Sequence, residues 1–131
     1  MMNTDRMALI VGQRGPLWDS LGTFLMTLPA IDMVLQMEDA VSALRIAAEQ
    51  RPSLVVLDAG QAGDEILPVL AVIGACGLAG RCLVLADDGR QQRQAASAGV
   101  GAAVLKGYPA AKLLEMTESL LPDTAGVVDA G

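Results

Sequence analysis

The sequence predicts an α/β domain with five parallel strands in an open, doubly wound (βα)5 arrangement. Three observations carry this expectation. Five short apolar runs alternate with longer segments of helical period. The runs do not alternate polar with apolar residues, so each strand is covered on both faces, as in a parallel sheet. The chain has 131 residues, room for five such units, whereas a closed barrel of this kind needs eight.

Met7–Val11 (MALIV) reads as the first strand. Leu17, Leu21, Phe24, Leu25 and Leu28 then share one helical face, and Pro16 suits a first helical position. Ile31–Gln36 is the second strand. Asp39 stands as an N-cap, with Val41, Leu44 and Ala48 as the stripe of the second helix, and Arg51-Pro52 ends it. Leu54–Leu57 is the clearest strand and closes at Asp58. A turn leads to a third helix from about Asp64 to Ala75, with Pro68 near its first turn. Gly74, Gly77 and Gly80 mark a flexible loop. Cys82–Ala86 is the fourth strand. Asp87-Asp88-Gly89 turns into a polar helix from Arg90 to Ala98, closed by Gly99. Ala102–Leu105 is the fifth strand, ending at Lys106. Pro109 opens a last helix with Leu113, Leu114, Thr117, Leu120 and Leu121 inward. From Pro122 onward there is no periodicity, so 122–131 is a tail or the start of a linker.

Composition narrows the function. Apolar residues make up 53% and charged residues 18%, with mean hydropathy +0.45, which excludes disorder for the bulk of the chain. The longest charge-free stretch, Ile66 to Gly80, is shorter than a spanning helix and carries Pro68, Gly74 and Gly77. No membrane association and no secretion signal are expected, and a cytoplasmic location follows. Nine basic residues face fifteen acidic ones, net −6, so this domain itself is not expected to bind nucleic acid. There is no histidine, which removes His-based acid–base catalysis, the common nucleophilic triads and the usual zinc sites. No enzyme activity, no cofactor and no metal are expected. Cys76 and Cys82 read as reduced, small apolar residues. Trp18 is either an exposed contact or a packing residue.

In doubly wound sheets the site lies beyond the carboxyl ends of the strands. The sequence places Gly12-Gln13-Arg14 after the first strand and Asp58 at the end of the third. It places Ala86-Asp87-Asp88 at the fourth and Lys106 at the fifth. Asp58 is open to two readings, a strand-end carboxylate paired with Lys106 or Arg14, or a reactive group. Arg14 is a candidate charge partner where a cation would otherwise sit. Asp87 and Asp88 follow the fourth strand and are expected to point away. The Gly12…Gly15 turn lacks the glycine and lysine spacing of the phosphate-binding loops, and a small nucleotide-binding α/β domain is the remote alternative.

Several segments carry a resemblance. They are Ala8-Leu9-Ile10-Val11 with Pro16-Leu17 beyond it, then Arg51-Pro52-Ser53-Leu54-Val55-Val56-Leu57-Asp58, and finally Ala98-Gly99-Val100-Gly101-Ala102 leading to Leu105-Lys106. In this order and spacing the chain resembles a receiver domain of two-component response regulators, especially those joined to helix-turn-helix output domains. The resemblance covers about Met7 to Leu121. It implies the flavodoxin-like receiver fold with strand order 2-1-3-4-5, and a receiver-like domain over 1–121 followed by the tail or linker 122–131. It puts Asp58 at the phospho-acceptor position and Lys106 at the lysine that contacts the phosphoryl group.

The departures are as informative. The family's adjacent acidic pair, which helps hold Mg²⁺, is Gly12 and Gln13 here. The family's Ser or Thr after the fourth strand is Ala86, and its aromatic switch is Ala103. Mg²⁺ wants an octahedron of oxygen ligands, and Asp58 alone is a poor cage. The resemblance therefore implies an atypical, degenerate receiver acting through dimerisation or partner binding, possible roles in transcription regulation included. Its partners would be a second copy, a histidine kinase or another signalling protein. The alternative is a working receiver phosphorylated at Asp58 by a histidine kinase. The third helix has more apolar positions than one buried face needs, which points to a subunit contact.

Overall fold

Each apolar run becomes a strand, because a run of Val, Leu and Ile with no polar alternation can hide both of its faces only between two layers of helices. The computed structural model describes residues 6–13, 15–62, 66–107 and 109–121, and of Leu17, Gln61, Ala62 and Ala110 only the backbone. Strands β1 (Met7–Val11), β2 (Met33–Met37), β3 (Leu54–Asp58), β4 (Cys82–Ala86) and β5 (Ala102–Leu105) form one parallel sheet in the order β2-β1-β3-β4-β5. The central strands β1, β3 and β4 are buried throughout, and the edges β2 and β5 are only partly covered.

The helices are α1 (Pro16–Met26), α2 (Ala40–Gln50), the single turn α3 (Ala59–Ala62), α4 (Ile66–Ala75), α5 (Gly89–Ser97) and α6 (Ala110–Leu120). Two cores lie on opposite faces of the sheet. One joins Leu9, Val55, Leu57 and Val84 to Ala43 and Ala47 of α2, Val69, Leu70 and Ile73 of α4, and Ala95 of α5. The other joins Ile10, Val56, Leu83 and Leu85 to Trp18, Leu21 and Leu25 of α1 and Leu113 of α6.

Local chemistry sets the helix ends. The Asp39 carboxylate accepts from the Val41 and Ser42 amides and from the Ser42 hydroxyl, the latter at 2.6 Å, capping α2 as expected. Arg51 ends that helix in the left-handed region at φ 49. Asp88 caps α5 by accepting from the Gln91 amide at 2.9 Å, and Gly99 follows that helix at φ +84. The Gly101 amide donates to the Ala79 carbonyl at 2.8 Å. A β-carbon at Gly101 would lie 2.4 Å from the Gly80 carbonyl oxygen, so the chain crosses itself there with no room for a side chain.

Three expectations are corrected. The second strand starts at Met33 rather than Ile31, because Asp32 is held back by an ion pair with Arg6 at 2.6 Å. The stripe of α2 is Ala43 and Ala47 with Leu44 beside them, not Val41, Leu44 and Ala48. Val41 is 65% exposed, since small alanines let the helix lie close to the sheet and turn the larger residue outward. The expected third helix is α4, described over Ile66–Ala75, and the turn before it forms the single helical turn α3, with residues 63–65 outside the described residues. Gly74 closes into the end of α4, and a 3₁₀ turn at Ala79–Arg81 follows Gly77, so this loop is structured.

Candidate functional site: an ammonium between two carboxylates

The carboxyl ends of β3, β4 and β5 bring three side chains together. Asp58 is the last residue of β3 and only 7% exposed. The Gly60 amide donates to its Oδ1 at 2.9 Å, a local turn that fixes the carboxylate. Lys106 follows β5, its amide donating to the Ala86 carbonyl at 3.0 Å. Its Nζ lies 2.7 Å from Asp58 Oδ1 and 2.6 Å from Asp87 Oδ1. One ammonium thus bridges two carboxylates, leaving a net local charge of −1.

Asp87 is the residue that sequence reasoning misplaced. It was expected to point away, yet it turns into the site. The reason is the capping arrangement of α5. Asp88 supplies the cap, and the Asp87 amide donates to Gln91 Oε1 at 2.7 Å, so Asp87 sits between the strand end and the cap with its carboxylate over the strand ends. The readable signal was the Asp-Asp-Gly triplet, in which the second Asp caps and the first is left facing the strands.

Gly60 completes the site. A β-carbon there would lie 2.7 Å from Asp87 Oδ2, 3.1 Å from Lys106 Nζ and 3.2 Å from Asp58 Oδ1. The three groups therefore close over a position that has no side chain. Burial pulls the Lys106 ammonium down, but hydrogen bonds and charge from Asp58 and Asp87 outweigh it, and the net displacement is above the ordinary lysine value.

Among the described residues the β1 end contributes no charge. Gly12 is buried, and a β-carbon on it would lie 3.1 Å from the Trp18 indole and 3.2 Å from Asp58 Cβ. Trp18 is 6% exposed, so it packs under the site. Of the two readings of Trp18, an exposed contact or a packing residue, the second is the one the structure shows. That close packing also leaves no cradle for a phosphate at Gly12. Gln13 is exposed, and Arg14 lies outside the described residues. Ala86 is fully buried and Ala103 half-buried, neither offering a hydroxyl or an aromatic ring.

These residues do not fit the Mg²⁺ that the resemblance implies. The carboxylate beside Asp58 is held by Lys106, and among the described residues no three acidic, Cys or His side chains converge. A divalent cation would have to displace the ammonium from both carboxylates. Among the described residues no helix is long and apolar enough to cross a membrane.

No family model matches the chain. No curated protein matches it either. Solved structures do. The signal receiver domain of the response regulator NarL from Mycobacterium tuberculosis is 16% identical over 88% of this chain and 94% of its own, with TM-score 0.71. A DNA-binding response regulator of the LuxR family from Staphylococcus aureus is 19% identical over 88% of this chain and 98% of its own, also at 0.71. A response regulator from Burkholderia pseudomallei, with a phosphorylated aspartic acid and a calcium ion, is 20% identical over 96% of this chain and 72% of its own, at 0.64. At such identities the shared property is the fold. Five parallel strands in the order 2-1-3-4-5, helices on both faces and Asp58 at the end of the third strand give this chain the fold of the response-regulator receiver domains.

Proposed function

We propose that the chain is a receiver-like regulatory module of signal transduction, not an enzyme, whose site is closed by its own ion pairs. It works through dimerisation or partner binding rather than through Mg²⁺-dependent phosphorylation of Asp58, and it acts in the cytoplasm, in the control of transcription. One observation carries this reading: the Lys106 ammonium is bound to Asp58 and Asp87 at 2.7 and 2.6 Å. In phosphoryl transfer a metal ion neutralises charge that develops at the acceptor. Here a lysine already stands at the acceptor oxygen, and the β1 end supplies Gly12 and Gln13 in place of carboxylates. Ala86 and Ala103 offer nothing to follow a phosphoryl group or to report it. A ligand shifts an equilibrium only through its different affinity for two states.

The test is sedimentation velocity with and without beryllofluoride and Mg²⁺, and likewise with acetyl phosphate. The expected result is an unchanged sedimentation profile. A shift of the monomer–dimer equilibrium that Asp58→Ala abolishes would make this a working receiver.

A further inference from the structure

Helix α4 has no polar side chain at all, although half of it faces solvent. Ile66, Val69, Leu70 and Ile73 are buried. On the other side Leu67 is 50% exposed and Val72 39%, with Pro68, Ala71 and Ala75 exposed between them. A helix that is apolar all round belongs in an interior. The patch continues onto α2. Leu44 lines an apolar cavity together with Val69 and Ile73, so the Leu44 side of α2 faces α4. Val41, three residues before Leu44 and so its neighbour on the helix surface, is exposed.

The rim of this patch is basic in an acidic protein. Arg45 is exposed on α2. A guanidinium nitrogen of Arg51 lies 3.8 Å from where a β-carbon at Gly77 would stand, just past the end of α4. Arg90 and Arg93 are exposed on α5. Gln92 of that helix reaches the Ala103 carbonyl of β5 at 3.0 Å. At about 100° per residue, Arg90 therefore lies on the opposite flank, toward α4. Among the described residues of α2, α4 and α5, Glu49 is the one acid. Next to these helices Asp39 and Asp88 are held as N-caps and Asp87 by Lys106, Glu38 is exposed before α2, and Asp64 and Glu65 lie outside the described residues. The opposite layer has the reverse balance, with Asp19, Glu115 and Glu118 against Lys112 on α1 and α6.

We infer that the α4 face is a docking surface for an acidic, amphipathic helix of a partner protein. The apolar ridge of α4 takes the partner's apolar stripe, and Arg45, Arg51 and Arg90 pair with carboxylates on its flanks. Charge decides between occupants. A second copy set face to face on α4 would bring one arginine rim against another, and like charges across an interface are costly. A helix with acidic flanks meets both features of the patch. This inference holds whether or not Asp58 takes a phosphoryl group, because α4 and its rim are on a surface apart from the strand ends.

The probe is a synthetic amphipathic helix with Leu on one face and Glu on the other, titrated calorimetrically into the full chain. A matched peptide with Lys for Glu is the control. The Glu peptide is expected to bind, more weakly as salt rises. Leu67→Asp should weaken it at least about tenfold, the scale of one buried leucine. The paired substitution Arg45→Glu with Arg90→Glu should weaken it comparably, while circular dichroism shows all variants folded. All three changed positions are exposed, so folding is retained. Equal binding of the Lys peptide, no binding of either peptide, or indifference to Leu67→Asp would each overturn the inference. So would a dimer in sedimentation that Leu67→Asp dissolves, or binding to phosphatidylglycerol vesicles that Leu67→Asp abolishes.

Discussion

Replacing Lys106 with Met removes the ammonium and keeps most of the aliphatic stem. Two contacts are lost, at 2.7 Å to Asp58 and 2.6 Å to Asp87. They are not equivalent. The Asp58 side chain is 11% exposed and that of Asp87 46%. The Asp87 contact is close to a surface pair, worth about 0–1 kcal/mol. Asp58 keeps its hydrogen bond from Gly60, but it gains a bare neighbour. The two Oδ1 atoms lie no more than 5.3 Å apart, the two ion-pair distances laid end to end. At an effective dielectric of about 20, two carboxylates so placed repel by about 3 kcal/mol. Half-exposed Asp87 can swing into water, which reduces this to about 1 kcal/mol. The expected loss is therefore about 1–2 kcal/mol at neutral pH, a fall in Tm of about 3–10 °C for a chain of this size. Adding Asp87→Asn to Lys106→Met should return about 1 kcal/mol, a coupling that a double-mutant cycle reads directly. The raised lysine value sets the pH window. A cation favoured in the folded state contributes fully below its ordinary value and is lost as pH rises through the folded one. The gap between parent and Lys106→Met should thus hold through neutral pH and close only in alkali. Mg²⁺ should raise the Tm of Lys106→Met, whose two carboxylates are free, and leave the parent unchanged. Thermal and urea denaturation followed by circular dichroism are the assays. A Lys106→Met variant as stable as the parent, or one that Asp87→Asn destabilises further, would refute the reasoning.

Gly101→Ala should cost about 1–3 kcal/mol, because its β-carbon would meet the Gly80 carbonyl at 2.4 Å and both sides of that contact are backbone; an unchanged urea midpoint would contradict this. Gly12→Asp should destabilise the chain by about 1–3 kcal/mol rather than simply restore a metal ligand, since the new side chain must displace the Trp18 indole at 3.1 Å; a stability gain in Mg²⁺ would show the opposite. Burial pushes the Cys82 thiol up to about 12, so a thiol reagent at mild alkaline pH should label Cys76 alone in the native state and both cysteines in denaturant. A buried neutral thiol stabilises the fold below its ordinary value and loses that contribution as pH rises from there toward 12. Stability should accordingly decline on the alkaline side, and Cys82→Ala should flatten the decline.

Most of the sheet was legible because buried parallel strands announce themselves. The runs at Met7, Cys82 and Ala102 begin and end where the strands do. The Asp39 cap and the inward Leu113 and Thr117 were equally readable, being set by local chemistry and a clean helical period. Helix faces made of alanine were not. Leucine marks a stripe by size, whereas Ala43 and Ala47 mark it by letting the backbone approach, which no hydropathy count registers. The Asp58–Lys106 pairing follows from placing both residues at strand ends. Asp87 was missed although the Asp-Asp-Gly triplet marked a cap, because the inward turn of the first Asp follows only once the second is assigned as the cap of α5. Trp18 could be placed only once the missing β-carbon of Gly12 left its ring a seat.

That seat has an optical consequence. Trp18 is the single tryptophan of the chain, and its ring and the Asp58 β-carbon both border the vacant corner at Gly12, at 3.1 and 3.2 Å. The protein therefore carries one intrinsic fluorophore, shielded from water and stationed beneath its candidate site. Its emission is a label-free gauge of that site, with no second indole to dilute the signal. Whatever enters, leaves or rearranges around Asp58 changes the field and the packing at that one ring.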